Sequence, residues 1–183
     1  MENNMEEESE FTYELKIPEE RVAVLIGKNG ETKRMIEEQI QCNIDISKEG
    51  EVEIVGDDGF LMFTAREVIK AIGRGFNPKI AILLTKPDYE FELISLKDIL
   101  GKSTKSMLRI KSRVIGSDGK ARKEIERLTD THIVIYGKTI GIIGEINHVS
   151  LAKQAINMLL GGAMHSTVFR FLEKKKKELF IGK

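Results

Sequence analysis

The chain has 183 residues, of which 41% are hydrophobic, and its 29 basic residues balance 29 acidic ones. This length suits one large domain or two small ones, and no apolar run approaches the roughly 20 residues of a membrane span. A single cysteine, Cys42, excludes an internal disulfide framework, and three histidines without zinc-type spacing argue against a metal site. We therefore expect a cytoplasmic protein that needs no cofactor.

The first half of the chain begins with an acidic segment and continues with strand and helix patterns. Residues 1–10 hold five Glu and no basic residue, unlike a secretory or organellar leader, and we expect a mobile tail. Residues 11–17, FTYELKI, alternate as a strand does, and Pro18 favours a helix start directly afterwards. A turn bracketed by two glycines, a second helix, the strands NIDIS and EVEIV, and a helix stopped by Gly73 complete this part.

A connector and a second half follow. Residues 77–88 form the connector, in which Asn77 before Pro78 is a favourable helix start. Its apolar residues need burial, so we expect the connector to pack the two halves together. Residues 89–165 repeat the earlier order of elements, and residues 166–183 predict a further basic helix with an apolar stripe. Its Lys174–Lys177 run is most simply a solvated helix face.

The repeat is visible in the glycine turn. Gly27 and Gly30 return 89 positions later as Gly116 and Gly119, whereas the first strands, FTYEL and YEFEL, are 78 positions apart. The second copy therefore carries 89 − 78 = 11 extra residues between its first strand and its glycine turn. Two copies of this length indicate tandem domains, because a solenoid needs several shorter repeats.

The charge is distributed unequally between the copies. Residues 102–123 hold eight basic residues and one acid, a net charge of 8 − 1 = +7. Residues 19–41 of the first copy hold four basic residues and five acids, a net charge of 4 − 5 = −1. The chain's zero net charge thus conceals a strongly basic segment, which suits an anionic partner.

The glycine turn itself favours phosphate binding. Glycine at both ends allows a sharp turn and a close approach of a sugar–phosphate chain, and the following helix start offers free N–H groups to an anion. A tight joint between two helices would explain the glycines alone. It would not explain the basic residues that flank both turns, which are Lys28, Lys33, Arg34, Lys120, Arg122 and Lys123.

With the sequences GKNG and GSDG, this order of elements resembles two tandem K-homology (KH) domains of the eukaryotic type, from residue 11 to residue 165. The resemblance implies an α+β fold, in which each domain (11–76 and 89–165) has a three-stranded antiparallel sheet with helices on one face. KH domains clamp about four nucleotides of single-stranded nucleic acid with this GxxG loop. The bases lie in a groove between the GxxG helices and the adjoining strand.

The resemblance and the surrounding basic residues give the predicted RNA-binding residues. In the second copy they are Arg109, Lys111, Arg113, Ile115, Gly116, Ser117, Asp118, Gly119, Lys120, Arg122, Lys123 and Ile133. In the first copy they are Ile26, Gly27, Lys28, Asn29, Gly30, Lys33, Arg34 and Ile44. The isoleucines near each loop divide between the groove floor and the core.

The second copy also resembles the archaeal relatives of the partner-of-Nob-one ribosomal RNA processing factors, through SRVIGSDGKARKEIERL and MLLGGAMHSTVFRFLE. That resemblance implies binding near the 3′ end of small-subunit ribosomal RNA. It also implies contact with the maturation endonuclease or with the alpha subunit of initiation factor two.

Two positions depart from the usual KH pattern. Lys33 and Arg122 stand where many KH domains have an apolar residue. Either the helix is slightly rotated, or these side chains add contacts to the RNA backbone. Asn29 and Asp118 lie inside the loop, and we interpret both as N-caps whose side-chain oxygens fold back onto the helix.

Other classes of function are less consistent with the sequence. LGKST at 100–104 ends like a phosphate-binding P-loop, but the glycine that should open that loop is replaced by Leu96, so a nucleotide-hydrolysing enzyme is disfavoured. The first copy, with its net negative window, is a candidate protein-binding adaptor, but its intact GxxG loop favours a second, weaker RNA module. Single-stranded DNA also remains open as a ligand, because the clamp senses mainly the backbone and unstacked bases.

Overall fold

The computed structural model describes the backbone of residues 11–101 and 103–181, and the side chains of these ranges up to residue 178. The predicted acidic tail and Lys102 lie outside the described residues. The chain divides into two compact units between Thr85 and Lys86, here called the first and the second unit. Each unit contains helices and a three-stranded antiparallel sheet, so the predicted α+β class is confirmed.

The first unit follows the predicted order of elements. Its elements are β1 (Phe11–Lys16), α1 (Glu19–Ile26), α2 (Glu31–Ile40), β2 (Asn43–Ile46), β3 (Glu51–Gly56), α3 (Gly59–Gly73) and α4 (Pro78–Ala81). The sheet has the order β1-β3-β2, so β2 is an edge strand. Pro18 lies one residue before α1, at its N-cap, rather than within its first turn.

The second unit repeats this arrangement and extends it. Its elements are β4 (Tyr89–Ser95), α5 (Leu96–Leu100), α6 (Thr104–Ile115), α7 (Lys120–Thr129), β5 (His132–Tyr136), β6 (Thr139–Glu145), α8 (Ile146–Leu160) and α9 (His165–Ile181). The sheet order is β4-β6-β5, so β5 is the edge strand that corresponds to β2. The 11 extra residues predicted before the loop form α5 and lengthen the first GxxG helix from eight residues in α1 to 12 in α6.

Each sheet packs one face against its helices. In the first unit this core contains fully buried aliphatic side chains from the helices and from β3, which are Leu25, Ile36, Ile54, Met62, Val68, Ile69 and Ile72. In the second unit Ile125, Ile140, Ile142 and Ile156 form the equivalent layer, and α9 adds Val168 and Leu172 to it. Burying each such side chain contributes about 1.5–3 kcal/mol relative to leaving it exposed.

Polar side chains define the helix starts. Asp58 accepts hydrogen bonds from the N–H groups of Phe60 and Leu61, at 2.8 and 3.0 Å, and so caps α3. Asn77 caps α4 through the N–H of Lys79 at 2.9 Å, as predicted. Because α4 and the 3₁₀ turn after it pack on α3, residues 78–85 are part of the first unit. The packing of the two halves through the connector stays a prediction.

An arginine in each unit ties the first GxxG helix to the C-terminal end of the long helix. The Arg21 guanidinium donates to the carbonyl oxygens of Ile72 at 2.8 Å and Phe76 at 2.7 Å. Arg113 donates to the carbonyl oxygen of Ala163 at 2.6 Å. All three bonds are partly buried and join residues at least 50 positions apart, so they fix the helices that carry the loops.

Candidate nucleic-acid interface

Both GxxG loops have the same backbone geometry. Each is a single 3₁₀ turn between two helices, closed by an N–H···O bond of 3.3 Å from the second glycine to the first, Gly30 to Gly27 and Gly119 to Gly116. The first glycine of each loop also donates to the preceding helix. These bonds leave the N–H groups of the two central residues unused within the described part of the chain, as an anion site requires.

The two glycines of each loop are needed for different reasons. A Cβ on Gly27 would lie 2.3 Å from the Thr32 Oγ1 atom, and a Cβ on Gly116 would lie 2.5 Å from the Ala121 Cβ atom. The first glycine therefore lets the loop pack on its own following helix. A Cβ on Gly119 would meet nothing within 4 Å, so only this second position leaves open space where a ligand backbone can approach.

The prediction that Asn29 and Asp118 are N-caps is wrong. The N-cap positions are Gly30 and Gly119, which have no side chain to offer. Asn29 and Asp118 instead adopt left-handed backbone conformations, each with φ of 53°. Asn and Asp tolerate this region better than other residues with a Cβ, and this tolerance explains both residues.

Lys33 and Arg122, which depart from the usual KH pattern, each lie beside a carboxylate that binds the edge strand, and this arrangement occurs in both units. Lys33 Nζ lies 3.7 Å from Glu37 Oε1, and the same oxygen accepts a 2.9 Å hydrogen bond from the Ile44 N–H in β2. In the second unit Arg122 Nε lies 3.6 Å from Glu126 Oε2, and the other carboxylate oxygen accepts from the β5 backbone N–H of residue 133 at 2.7 Å. The carboxylate thus fixes the groove's edge strand, and the basic residue orients the carboxylate.

The isoleucines near the loops divide by burial. Ile44 and Ile133 are 3% and 1% exposed, so the structure favours the core over the groove floor for their side chains. Ile115 is 38% exposed directly before its loop, and Ile26 is partly exposed at the same place in the first unit. The apolar surface beside each loop is therefore provided by the residue that precedes it.

The basic residues that the sequence predicts to bind RNA differ in how accessible their side chains are to a ligand. Lys28, Arg109, Lys120 and Lys123 are exposed, and Lys111 is half-buried. Arg34 is exposed, but its guanidinium donates to the Asn29 carbonyl oxygen at 2.7 Å and supports the first loop. Arg113 is occupied by its bond to Ala163, which gives it a structural role whether or not it contacts RNA.

Sequence reasoning missed one exposed apolar side chain on the helix that leads to the second loop. Leu108 is 66% exposed on α6 and lies on the same helix face as Arg109, Ser112 and Ile115, which are also exposed. This stripe runs along the helix to the second loop. The spacing of three and four residues could have revealed it, because such residues share one face of a helix.

The structure gives little support to nucleotide hydrolysis or to metal binding. The P-loop-like residues Gly101 and Ser103 lie between α5 and α6, whereas a P-loop follows a strand. Within residues 11–101 and 103–178, His, Cys, Asp and Glu side chains form no group of three that could hold a metal ion. Among the described residues, none of the helices combines the length and the hydrophobicity that a transmembrane span requires.

The fold and the two loops define the class of the protein. The two units are KH domains: residues 12–60 match the KH domain family, and residues 90–177 match the eukaryotic-type KH domain, KH-domain type I. A KH domain-containing protein, MJ0443 from Methanocaldococcus jannaschii, is 43% identical over 169 residues, which are 90% of this chain and 74% of that protein. The chain therefore belongs to the family of tandem KH-domain proteins that includes MJ0443.

The chain is also similar to proteins named for ribosomal RNA processing. The pre-rRNA-processing protein PNO1 of Debaryomyces hansenii is 31% identical over 128 residues, and the match covers 68% of this chain but only 50% of that protein. Dim2p of Pyrococcus horikoshii, in a crystal structure with a/eIF2alpha and rRNA, superposes with a TM-score of 0.87 at 38% identity over 96% of this chain and 99% of that chain. The family is thus one of RNA-binding, non-enzymatic proteins related to rRNA processing.

Proposed function

We propose that the chain binds single-stranded RNA through its GxxG loops, with the second unit as the principal site. The observation that carries the proposal is the second loop, where Lys120 and Lys123 stand exposed beside an open Gly119. The Leu108–Ile115 stripe adds an apolar surface on which unstacked bases can lie. The first loop has the same backbone geometry. It contributes to binding once the second unit holds the RNA, because the RNA is then at a high effective concentration near the first loop.

We further propose the 3′ region of small-subunit ribosomal RNA as the target, during ribosome maturation. The support is similarity: the PNO1 relatives are named for pre-rRNA processing, and the similar Dim2p structure contains rRNA and a/eIF2alpha. The alpha subunit of initiation factor two is accordingly a proposed partner. Contact with a maturation endonuclease remains a prediction from the family resemblance alone. A cytoplasmic location remains a prediction from the sequence, whose single cysteine suits a reducing compartment.

The direct test is a titration of the full chain with labelled single-stranded RNA drawn from that 3′ region. Matching single-stranded DNA and duplex RNA serve as competitors. Because the loops neutralise phosphates, log affinity is expected to fall linearly with log salt concentration, by roughly 0.7 per phosphate contacted. An affinity that is unchanged between low and physiological salt would contradict backbone clamping.

A second candidate function applies to the first unit alone, which we propose as a protein-binding adaptor. Three exposed carboxylates, Glu14, Glu53 and Asp45, lie directly opposite one another across its sheet. Such a row repels phosphates and is unfavourable for the sheet itself. A variant whose second unit no longer binds RNA distinguishes the two candidate functions of the first unit. If the first unit is an adaptor, this variant has no remaining affinity for RNA.

A further inference from the structure

The second unit has a cavity on the side of the GxxG loop that faces away from the edge strand. The cavity has a volume of about 660 Å³ and lies between the loop, α7 and α9. This volume is within the range of about 300–1,000 Å³ that is usual for small-ligand sites. Its walls include the loop residues Gly116 and Ser117, the basic residues Lys120 and Lys123, and the ring of Phe169.

Helix α7 separates this cavity from the KH groove. At about 100° per residue, Arg122 and Glu126 share one face of α7, and Lys120, Lys123 and Arg127 lie roughly on the opposite face. The first face holds the edge strand through Glu126. The loop stands at the N-terminal end of α7, so an RNA strand clamped there is at the entrance to both surfaces.

Helix α9 supplies the far wall in a fixed position. His165 is hydrogen-bonded through Nε2 to the Arg113 carbonyl oxygen at 2.7 Å, and its ring lies 6.0 Å from the Phe169 ring, centroid to centroid. Lys176 Nζ donates to the carbonyl oxygen of Arg127 at 3.0 Å, and Val168 is fully buried in the core. The two rings are therefore held in place before any ligand arrives.

Electrostatics favour an anionic occupant. Arg127 forms two hydrogen bonds with Glu124, at 2.9 and 2.6 Å, and these bonds lower the pKa of the Glu124 carboxyl. This pair is neutral in sum, which leaves the exposed ammonium groups of Lys120 and Lys123 in the cavity wall. Cations beside aromatic rings are the combination with which proteins bind unpaired nucleotides.

We infer that this cavity binds one unpaired nucleotide of the same RNA strand, next to the four held by the second loop. The base stacks against Phe169 and His165, and its phosphates contact Lys120 and Lys123. This subsite rests on the proposed function and extends it. The first unit offers no equivalent among its described residues, because its last helix, α4, packs on α3.

Continuity favours RNA over a protein segment as the occupant. Gly116 and Ser117 belong to the loop and also to the cavity wall, so a clamped backbone reaches the cavity without leaving the protein surface. The cavity thereby lengthens the binding site of the second unit from about four nucleotides to about five.

An abasic scan tests the inference. A ten-nucleotide RNA from the small-subunit 3′ region is synthesised with one base removed at a time, and each version is titrated against the full chain by fluorescence anisotropy. The wild-type protein is expected to be sensitive at about four adjacent positions and at one neighbouring position. Removing that neighbouring base should weaken binding by about fivefold or more, the usual contribution of one stacked base.

The decisive variant is Phe169→Leu, which removes the ring and keeps an apolar side chain against the core. It should make binding insensitive to the neighbouring base and leave the response to the other four unchanged. Phe171→Leu, on the same helix and outside the cavity, is the matched control for packing. Lys123→Glu should weaken binding of the intact RNA more than Lys177→Glu does, since Lys177 is exposed on α9 away from the cavity.

The outcomes distinguish the two proposals. If the affinity for the intact RNA does not depend on salt concentration, clamping by the loop fails and the subsite fails with it. If the affinity depends on salt but no base removal alters it, the clamp stands and the inference is overturned. If about four positions are sensitive but Phe169→Leu behaves as wild type throughout the scan, the loop function stands and the inference is overturned. The cavity would then be assigned to a protein ligand.

Discussion

The GxxG loops of the two KH units have the same backbone geometry, but the charged side chains around them differ. Residues 19–41 carry a net charge of −1, and the equivalent residues 108–130 carry seven basic and four acidic residues, a net of 7 − 4 = +3. Glu20 and Glu31 of the first unit correspond to Arg109 and Lys120 of the second. The glycine turn can therefore be kept while its affinity for phosphate is changed by neighbouring side chains.

The largest expected effect concerns the arginines that hold the loop-bearing helices. Arg21→Met removes two charge-assisted hydrogen bonds and should lower the free energy of unfolding by about 3 kcal/mol. Arg113→Met removes one such bond and should cost about half as much. Urea denaturation of the two variants measures both values. A loss of RNA affinity in Arg113→Met without a loss of stability would instead assign Arg113 to the RNA.

Aspartates placed in each loop test which unit dominates binding. Ser117→Asp, beside Asp118, should weaken RNA binding tenfold or more, because a charge-assisted contact contributes about 1.5–3 kcal/mol. Lys28→Asp with Asn29→Asp is the matched change in the first unit and should weaken binding less. Both loops are exposed, so melting temperatures should not change. Equal losses would remove the distinction between the units, and a larger loss from the first would reverse it.

The units should also differ in their response to alkaline pH. Burial, followed by the nearby Glu37 carboxylate, raises the pKa of Cys42 from 9.0 to about 11, and the second unit has Thr131 at the equivalent position. Because the folded state holds the thiol proton more tightly, the first unit should lose stability between about pH 9 and pH 11. The loss is on the order of 2 kcal/mol.

Unfolding at a series of pH values, followed by hydrogen exchange in each unit, measures this difference. Cys42→Thr, which copies the second unit, is the control and should flatten the pH dependence of the first unit. If the native Cys42 thiol reacts with iodoacetamide at pH 8 as fast as a free thiol does, its burial is not protective and the expectation fails.

The smallest expected effect comes from single charges next to the loops. Lys120→Glu should reduce affinity a few-fold and lower the slope of log affinity against log salt by about 0.7, one phosphate contact. Glu31→Lys, the reciprocal change in the first unit, should increase affinity by a similar factor at low salt. Titrations at three salt concentrations measure both slopes. A Glu31→Lys variant with unchanged affinity would indicate that RNA does not reach the first loop.

The sequence predicts the fold well because the fold depends on local patterns. Alternating strands, helix periodicity and a repeated glycine turn are all visible within short windows, and the duplication confirms each by its counterpart. The features that the sequence did not predict depend on contacts between residues that are far apart in the chain. Arg113 is basic and close to the loop, but its carbonyl partner lies 50 residues further along the chain.

The candidate site is only partly predictable for the same reason. The loop glycines and the lysines follow from the sequence, whereas Ile133 can lie in the groove or in the core, and only its packing settles the choice. The apolar stripe of α9 predicts that Phe169 and Leu172 face protein. It does not identify α7 as a neighbour, so the cavity between them could not be foreseen.

The steric demand on the first loop glycine limits what a GxxG signature can tell about a KH copy. Any side chain at Gly27 would collide with Thr32, so a copy that had lost its ligand altogether would still have to keep this residue in order to fold. Gly30 has a φ of 77°, and a Cβ there would meet only the Arg34 Nε atom at 4.0 Å, so Asn or Asp, which tolerate this backbone region better than other residues, would fit there without a clash. An intact first glycine therefore indicates only that the KH domain can fold. Whether a copy can still bind its ligand is better judged from the second glycine of the loop.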